Sequence, residues 1–275
     1  MPGKSPPNER VAVLTGAGGG IGTALLPRLL DAGFRVLLVG RDAERLAALE
    51  RQFGAKALAF PCDLVMPDQI TQLAARIAGE IGHVDILINN AGVIHPGPAG
   101  TQPERDILHQ IGTNFQGAIL LTRALLGLWR GPGAIVFVNS MAGLLPLKDS
   151  AVYSATKFGL RGFALSLRME LQPQGITVST VFPGAVDTPM LRREMTSGGS
   201  DMNFLGNPLP PAQVADTIMR AIRQGRPEYY IPRADGVLVQ LGMMFPGLLL
   251  RLSPLLESIG QRRKQQMLRK GGWTA

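Results

Sequence analysis

Tyr153 and Lys157 stand four positions apart in the segment YSATK, a spacing that puts both side chains on one face of a helix. A phenol with a pKa of about 10 is a poor proton donor or acceptor at neutral pH. A neighbouring ammonium lowers that pKa by favouring the phenolate, which suits the pair to moving a proton on or off an oxygen. Ser140 follows the apolar run AIVFVN that ends at Asn139. A hydroxyl at the C-terminal end of a buried strand lies where open α/β sheets take their ligands.

A second group of residues is built for an anion. The segment TGAGGGIG spans Thr15 to Gly22, behind the apolar run VAVLT and ahead of a helix expected to start near Gly20. Gly16, Gly18, Gly20 and Gly22 let the backbone turn tightly and approach a pyrophosphate, and the helix start around Ile21 offers free N–H groups. The flanking strand and helix favour a dinucleotide loop for this glycine run, with a flexible turn as the other reading. Pro27 falls inside that helix and has no N–H to bond back to Thr23, so a kink is expected there.

About 20 residues on, at the end of the second strand, an acidic residue would select the ribose 2′-hydroxyl of NAD. This chain has Gly40 and then Arg41. A guanidinium grips a 2′-phosphate through paired charged hydrogen bonds, so the pattern favours NADP(H). The other reading keeps NAD(H): Arg41 is then a solvated surface charge and Asp42 binds the ribose.

These groups need a scaffold that brings them together. Short runs rich in Val, Ile and Leu begin at Val11, Arg35, Ala57, Val84, Ala134 and Ile176, with a last one at Tyr229 to Ile231. Near-continuous apolar runs suit strands buried on both faces of a parallel sheet. Between them, Ala43 to Gln52, Pro67 to Ile81, Glu104 to Trp129 and Val152 to Leu171 have helical spacing. The alternation predicts a single-domain α/β fold, a doubly wound parallel sheet with helices on both faces. The expected division is a flexible start over 1–9, a catalytic body over 10–233 and a C-terminal extension over 234–275. Within the body, the glycine- and proline-rich stretch around 190–211 is a candidate lid.

Composition narrows the function classes. Of 275 residues, 45% are apolar, and 28 Lys and Arg against 20 Asp and Glu give a net charge of +8. Six basic residues and one acidic residue stand from Arg251 onward, so most of that excess belongs to the tail. No zinc-finger or basic-aromatic pattern accompanies it, and no nucleic-acid partner is expected. The single cysteine, Cys62, excludes an internal disulfide and fits a reducing compartment. His83, His95 and His109 share no ligand spacing, so no metal site is assigned. His95 reads as a surface histidine, with an approach to a substrate pocket as the other reading. The segment MPGKSPPNER has no apolar stretch of a secretory signal, and no run reaches the about 20 apolar residues of a membrane span. A cytoplasmic location is expected. Leucines crowd Gly236 to Ile259 ahead of the basic run QRRKQQMLRK, a pairing that suits peripheral contact with a membrane surface. The same apolar residues could instead cap a substrate pocket or meet a second subunit.

Seven motifs, in order and spacing, resemble the short-chain dehydrogenase/reductase family in its compact single-domain, Rossmann-fold branch. They are TGAGGGIG at Thr15–Gly22, CDL at Cys62–Leu64, NNAG at Asn89–Gly92, Asn114 in NFQG, Ser140, YSATK at Tyr153–Lys157 and PGAVDT at Pro183–Thr188, and the likeness covers about residues 10 to 232. The resemblance implies that Tyr153 is the general acid for carbonyl reduction and the general base for alcohol oxidation. It implies that Lys157 lowers the tyrosine pKa and binds the nicotinamide ribose, and that Ser140 holds the substrate oxygen. Asn114 would hold a water linking Lys157 to solvent. Asp63 would sit at the adenine, Asn90 at the ribose, and Pro183 and Thr188 beside the nicotinamide; Thr188 also reads as a helix N-cap. Homodimers or homotetramers built on Glu104–Trp129 and Val152–Leu171 are implied as well.

The resulting expectation is an NADP(H)-dependent oxidoreductase acting on a carbonyl or secondary alcohol. An apolar tail closing the pocket would favour a lipophilic substrate. The alternative is a non-catalytic dinucleotide-binding sensor or scaffold, which has no chemical need for Ser140, Tyr153, Lys157 and Asn114 together.

Overall fold

The computed structural model describes residues 9–269. Residues 1–8 of the expected flexible start, and Lys270 of the basic run, lie outside them. Seven strands form one parallel sheet: β1 (Arg10–Thr15), β2 (Phe34–Gly40), β3 (Ala57–Pro61), β4 (Ile86–Asn89), β5 (Gly133–Val138), β6 (Ile176–Pro183) and β7 (Glu228–Ile231). Their order is β3-β2-β1-β4-β5-β6-β7, so the chain reverses its direction of travel between β1 and β4. That reversal opens a crevice at the C-terminal strand ends.

Side chains alternate along each strand, so one strand serves two cores. In β1, Ala12 and Leu14 face one layer with Leu25, Leu26 and Leu29 of α1 (Gly20–Asp31), Leu46 of α2 (Ala43–Phe53) and Ile218 of α8 (Pro211–Gln224). Val11 and Val13 face the other, against Ile77 of α3 (Pro67–Glu80), Leu121 of α5 (Gly117–Leu125) and Leu160 and Leu167 of α6 (Ala151–Leu171). Burial on both faces explains why the strands read as unbroken apolar runs. Pro27 lies within α1, which continues past it to Asp31.

The helix expected over Glu104 to Trp129 is interrupted. It divides into α4 (Glu104–Ile111), a five-residue π turn over Gly112–Gln116, and α5. Non-local packing sets the break: a Cβ at Gly117 would stand 2.5 Å from the Leu64 carbonyl, and one at Gly112 would stand 3.1 Å from Val65. The extra backbone residue turns Asn114 toward the β4 loop, a common use of π turns at functional sites.

After β6 the stretch expected as a candidate lid folds as α7 (Pro189–Ser197) and a short 3₁₀ turn over Asp201–Phe204. The C-terminal extension forms α9 (Arg233–Met243) and α10 (Pro246–Arg269). One face of α10 is fastened to that 3₁₀ turn. Glu257 accepts from Ser200 Oγ at 2.6 Å and from the Asp201 amide at 2.7 Å. Lys264 Nζ reaches Asp201 at 3.1 Å, and Gly260 lets the helix lie against the Asp201 backbone. The opposite side of α9 and α10 carries exposed Leu238, Leu241, Phe245, Leu248, Leu252 and Leu255. Among the described residues, no helix is long and apolar enough to cross a membrane.

Candidate active site

A cleft of about 650 Å³ opens over the C-terminal ends of β1, β4, β5 and β6. One end is the glycine loop. Gly16 has φ +63°, a left-handed conformation open to glycine at little cost, and a Cβ on Gly22 would run into the carbonyls of Gly16 and Ala17. Gly18 lies against Arg45, whose Nε donates to the Gly18 carbonyl at 2.6 Å. Gly20 lies against the Thr188 methyl, where a Cβ would stand 2.7 Å away. The backbone, unencumbered by side chains, therefore lines this part of the cleft with Gly16, Gly18, Gly20 and Ile21.

Asn90 fixes the loop from the far side. Its Nδ2 donates to the carbonyls of Thr15 and Gly16 at 2.9 and 3.1 Å, and its own amide bonds to Thr15 Oγ1. Its side chain thus positions the glycine turn, a task that sequence reasoning had not assigned to it. Arg41, Asp42 and Asp63 line the adjoining wall. Asp42 caps α2, its Oδ1 accepting from the Arg45 amide at 2.9 Å. Asp63 Oδ1 accepts from the Val65 amide. Cys62 is buried beside it, which pushes the thiol up to about 11.

Ser140, Tyr153 and Lys157 meet at the other end. Ser140 leaves β5, starts a short 3₁₀ turn by accepting from the Ala142 amide at 3.1 Å, and bonds to the Tyr153 hydroxyl. Lys157 is only 3% exposed; its Nζ donates to the Val138 carbonyl at 3.3 Å and lies 5.6 Å from the Tyr153 ring centre. Asn139, unremarked in the sequence, links the elements: its Nδ2 donates to the Lys157 carbonyl at 3.0 Å and its Oδ1 accepts from the Ser140 amide at 2.9 Å.

The electrostatics differ from the sequence expectation at one point. Burial drives the Tyr153 phenol well above its ordinary pKa; the Ser140 hydrogen bond opposes this and the Glu194 charge reinforces it. Burial also lowers Lys157 to about 8. Burial is the first cause of both shifts, and it favours the neutral form of each group. Tyr153 is held as a protonated phenol, an acid ready to donate.

Asn114 is buried, and its amide bonds lead to the main chain. Oδ1 accepts from the Val93 amide at 2.7 Å, and Nδ2 donates to the Val93 carbonyl at 2.8 Å and to Thr156 Oγ1 at 3.4 Å. It pins the loop after β4 beside Lys157, since a Cβ on Gly92 would lie 3.5 Å from Asn114 Oδ1 and 3.7 Å from Lys157 Nζ. Pro183 lines the cleft at the end of β6. Thr188 caps α7, accepting weakly from the Leu191 amide at 3.4 Å. Of the residues proposed from the sequence, Gly16, Gly18, Gly20, Ile21, Arg41, Asp63, Asn90, Ser140, Tyr153, Lys157, Pro183 and Thr188 line this one cleft; Gly22 and Asn114 support it from behind.

Three side chains with no sequence motif join them. His109 of α4 bonds both Arg41 and half-buried His95. Glu194 and Asn203, from α7 and the 3₁₀ turn, line the cleft and bond each other at 2.7 Å. Their positions come from tertiary folding, and no residue pattern announces them.

The short chain dehydrogenase family model matches residues 10–197. Dehydrogenase/reductase SDR family member 7B of Bos taurus is 33% identical over 261 residues, covering 88% of this chain and 79% of that protein. The 3-ketoacyl-(acyl-carrier-protein) reductase of Brucella melitensis, solved as a complex with NADH, superposes with a TM-score of 0.74 at 27% identity and covers 81% of this chain and 96% of its own. The closed form of serine dehydrogenase, complexed with NADP+, gives 0.73 at 27% identity, over 80% of this chain and 93% of its own. The family match embraces the glycine loop, the strand-end serine and the Tyr153–Lys157 helix alike, and the chain belongs to the short-chain dehydrogenase family of oxidoreductases.

Proposed function

We propose that the chain is an NADP(H)-dependent oxidoreductase that interconverts a lipophilic carbonyl compound and its secondary alcohol. The observation that carries this reading is one continuous cleft with a side-chain-free glycine turn and Arg41 at one end and Ser140, Tyr153 and Lys157 at the other. The glycine turn fits a pyrophosphate, because Gly16, Gly18 and Gly20 bring backbone to the cleft wall, and a Cβ on Gly16 or Gly22 would collide with the packed main chain. Arg41 favours the 2′-phosphate, and Asp42, the acid that could select an NAD ribose, has a carboxylate oxygen committed to capping α2.

A nicotinamide cofactor held there by the glycine turn, Arg41, Asp63, Asn90, Lys157, Pro183 and Thr188 would supply or accept the hydride. The chain's own residues do the rest. Ser140 and the Tyr153 hydroxyl, which line the same end of the cleft, would both hydrogen-bond the oxygen of a carbonyl placed between them and polarise it. Tyr153 gives its proton to that oxygen as charge develops, and takes it back in the oxidative direction. Lys157, charged below about 8, offsets the phenolate that results. Asn114 and Asn139 hold Lys157 and Ser140 in register. Met141, Leu147, Met190 and Leu191 give the substrate end apolar walls.

Two features outside the cleft extend the reading. Exposed Leu108 and Ile111 of α4 and Phe158, Leu165 and Met169 of α6 support a homo-oligomer built on those helices. Apolar side chains on α9 and α10, flanked by exposed Arg233, Arg251, Arg262 and Arg269, support peripheral contact of a cytoplasmic enzyme with an anionic membrane surface. The deciding experiment is NADPH oxidation by purified protein over a panel of alkyl and cyclic ketones. Turnover supports the reading, whereas tight NADPH binding with no turnover on any ketone supports the non-catalytic scaffold.

A further inference from the structure

We infer that Glu194 and Asn203 form a substrate subsite for a hydrogen-bond donor, a hydroxyl or an ammonium group, carried close to the reacting carbon. This rests on the oxidoreductase reading above and adds a substrate class to it. The substrate is then amphiphilic, with an apolar body and one polar donor beside its carbonyl.

Glu194 is 7% exposed, on the face of α7 that lines the cleft. Its neighbours there are Met190 and Leu191, and Met141 and Leu147 complete the apolar wall. Within the described chain the carboxyl receives one hydrogen bond, from Asn203 Nδ2 at 2.7 Å. An ionised carboxylate has room for about four donors, and leaving it buried with one is costly. The nearby cation, Lys264, is committed to Asp201 at 3.1 Å. Burial accordingly raises Glu194 to about 7, against the opposing effects of Asn203 and Lys264. Glu194 and Tyr153 line the same cleft, and the Glu194 charge raises the Tyr153 phenol.

Glu194 is walled in on one side and faces the cleft on the other. Gly199 packs against it, with a Cβ there standing only 2.9 Å from Glu194 Oε1. The turn that carries Asn203 is held in turn by Glu257 of α10, through Ser200 and the Asp201 amide. A rigid, under-bonded carboxyl in an apolar wall discriminates strongly for ligands that bring the missing donor, because other ligands leave it unpaired. The tyrosine and serine polarise the carbonyl oxygen while Glu194 takes the second polar group, which fixes which face of the carbonyl meets the cofactor.

The test compares kcat/KM for matched ketones with NADPH: methyl hexyl ketone, the same ketones bearing a hydroxyl one or two carbons from the carbonyl, and those bearing a dimethylammonium group there. Wild type should prefer both donor-bearing classes by about tenfold to a hundredfold, the size of one hydrogen bond to a charged group. Glu194→Gln keeps an acceptor for the hydroxyl and for Asn203 and loses the charge, so the ammonium preference should collapse while most of the hydroxyl preference survives. Glu194→Leu should erase both, and if that variant misfolds the glutamine variant alone still decides the ammonium arm. Preferences near one in wild type, or preferences unchanged in the glutamine and leucine variants, overturn the subsite and leave the oxidoreductase reading intact. Failure of wild type to reduce any of these ketones or those of the wider panel, with NADPH still bound, removes the oxidoreductase reading and the subsite with it.

Discussion

Arg41 Nη1 donates to His109 Nε2 across 3.1 Å. A guanidinium has donors only, so His109 Nε2 must be the bare nitrogen and the ring proton must sit on Nδ1. That proton points at His95 Nε2, 2.9 Å away. Burial, with His95 and Arg41 beside it, lowers the His109 pKa, which keeps the ring neutral and able to accept. An α4 side chain therefore holds the arginine at the cleft wall from behind.

Under the NADP(H) proposal, cofactor choice would rest on Arg41 and His109. Arg41→Ala should weaken NADPH by about tenfold to a hundredfold, the size of lost charge-assisted hydrogen bonds, and barely alter NADH. His109→Phe should shift the same ratio by a smaller amount. Fluorescence titration of both cofactors measures it, and equal losses for NADPH and NADH would refute the 2′-phosphate role.

Tyr153→Phe removes the transferable proton and keeps the ring. Turnover should fall by at least about a hundredfold, the lower range for loss of a general acid, with cofactor affinity within a few-fold. Retained turnover would strike Tyr153 from the mechanism.

The proposed role of Lys157 predicts an alkaline limb in the pH profile. Burial brings the lysine down to about 8, so its charge is complete well below that pH and lost above it. Ketone reduction should therefore decline as pH rises through about 8, and a flat kcat/KM from 7 to 9.5 would contradict the role given to its charge.

Glu194 sets a stability slope of the opposite kind to most carboxylates. Its folded pKa, about 7, lies above the ordinary 4.5. Between those values the folded protein binds the extra proton, so stability is fullest below about 4.5 and falls as pH rises to about 7. Glu194→Gln removes that slope. Its Tm should exceed that of wild type by more at pH 8 than at pH 5, corresponding to as much as about 3 kcal/mol. A pH-independent difference would show that the carboxyl is not held in this state.

The membrane surface can be tested without touching the cleft. Leu248→Asp with Leu255→Asp places charge on the exposed apolar side of α10, away from Glu257 and Lys264. Co-sedimentation with anionic vesicles should drop severalfold, with turnover of a water-soluble ketone preserved. Equal sedimentation of wild type and variant would exclude this face as the contact.

The strands were readable because each is buried on both sides, as Val11 to Leu14 show with no exposed residue among them. Ser140, Tyr153 and Lys157 were readable because their spacing along one strand end and one helix is itself the geometry. The break between α4 and α5 was hidden, since apolar spacing runs on through Gly112 and Gly117 and only contact with Leu64 and Val65 interrupts it. Glu194, Asn203 and His109 were equally hidden. Each matters for what it meets across the fold: Asn203 reaches Glu194 only because the chain after α7 doubles back, and His109 reaches Arg41 from a different helix. The burial that raises Tyr153 and lowers Lys157 is likewise a product of the fold, which spacing along one helix does not announce.

The contact of Glu257 and Gly260 with residues 200 and 201 means that the stretch 187–211 does not carry its own shape. Its fold is written some 60 positions downstream, in a helix whose far side faces outward with bare leucines. A graft of residues 187–211 into another family member would arrive without its mould and would not reproduce this enzyme's selectivity. That stretch and α10 have to be inherited, exchanged or redesigned as one part.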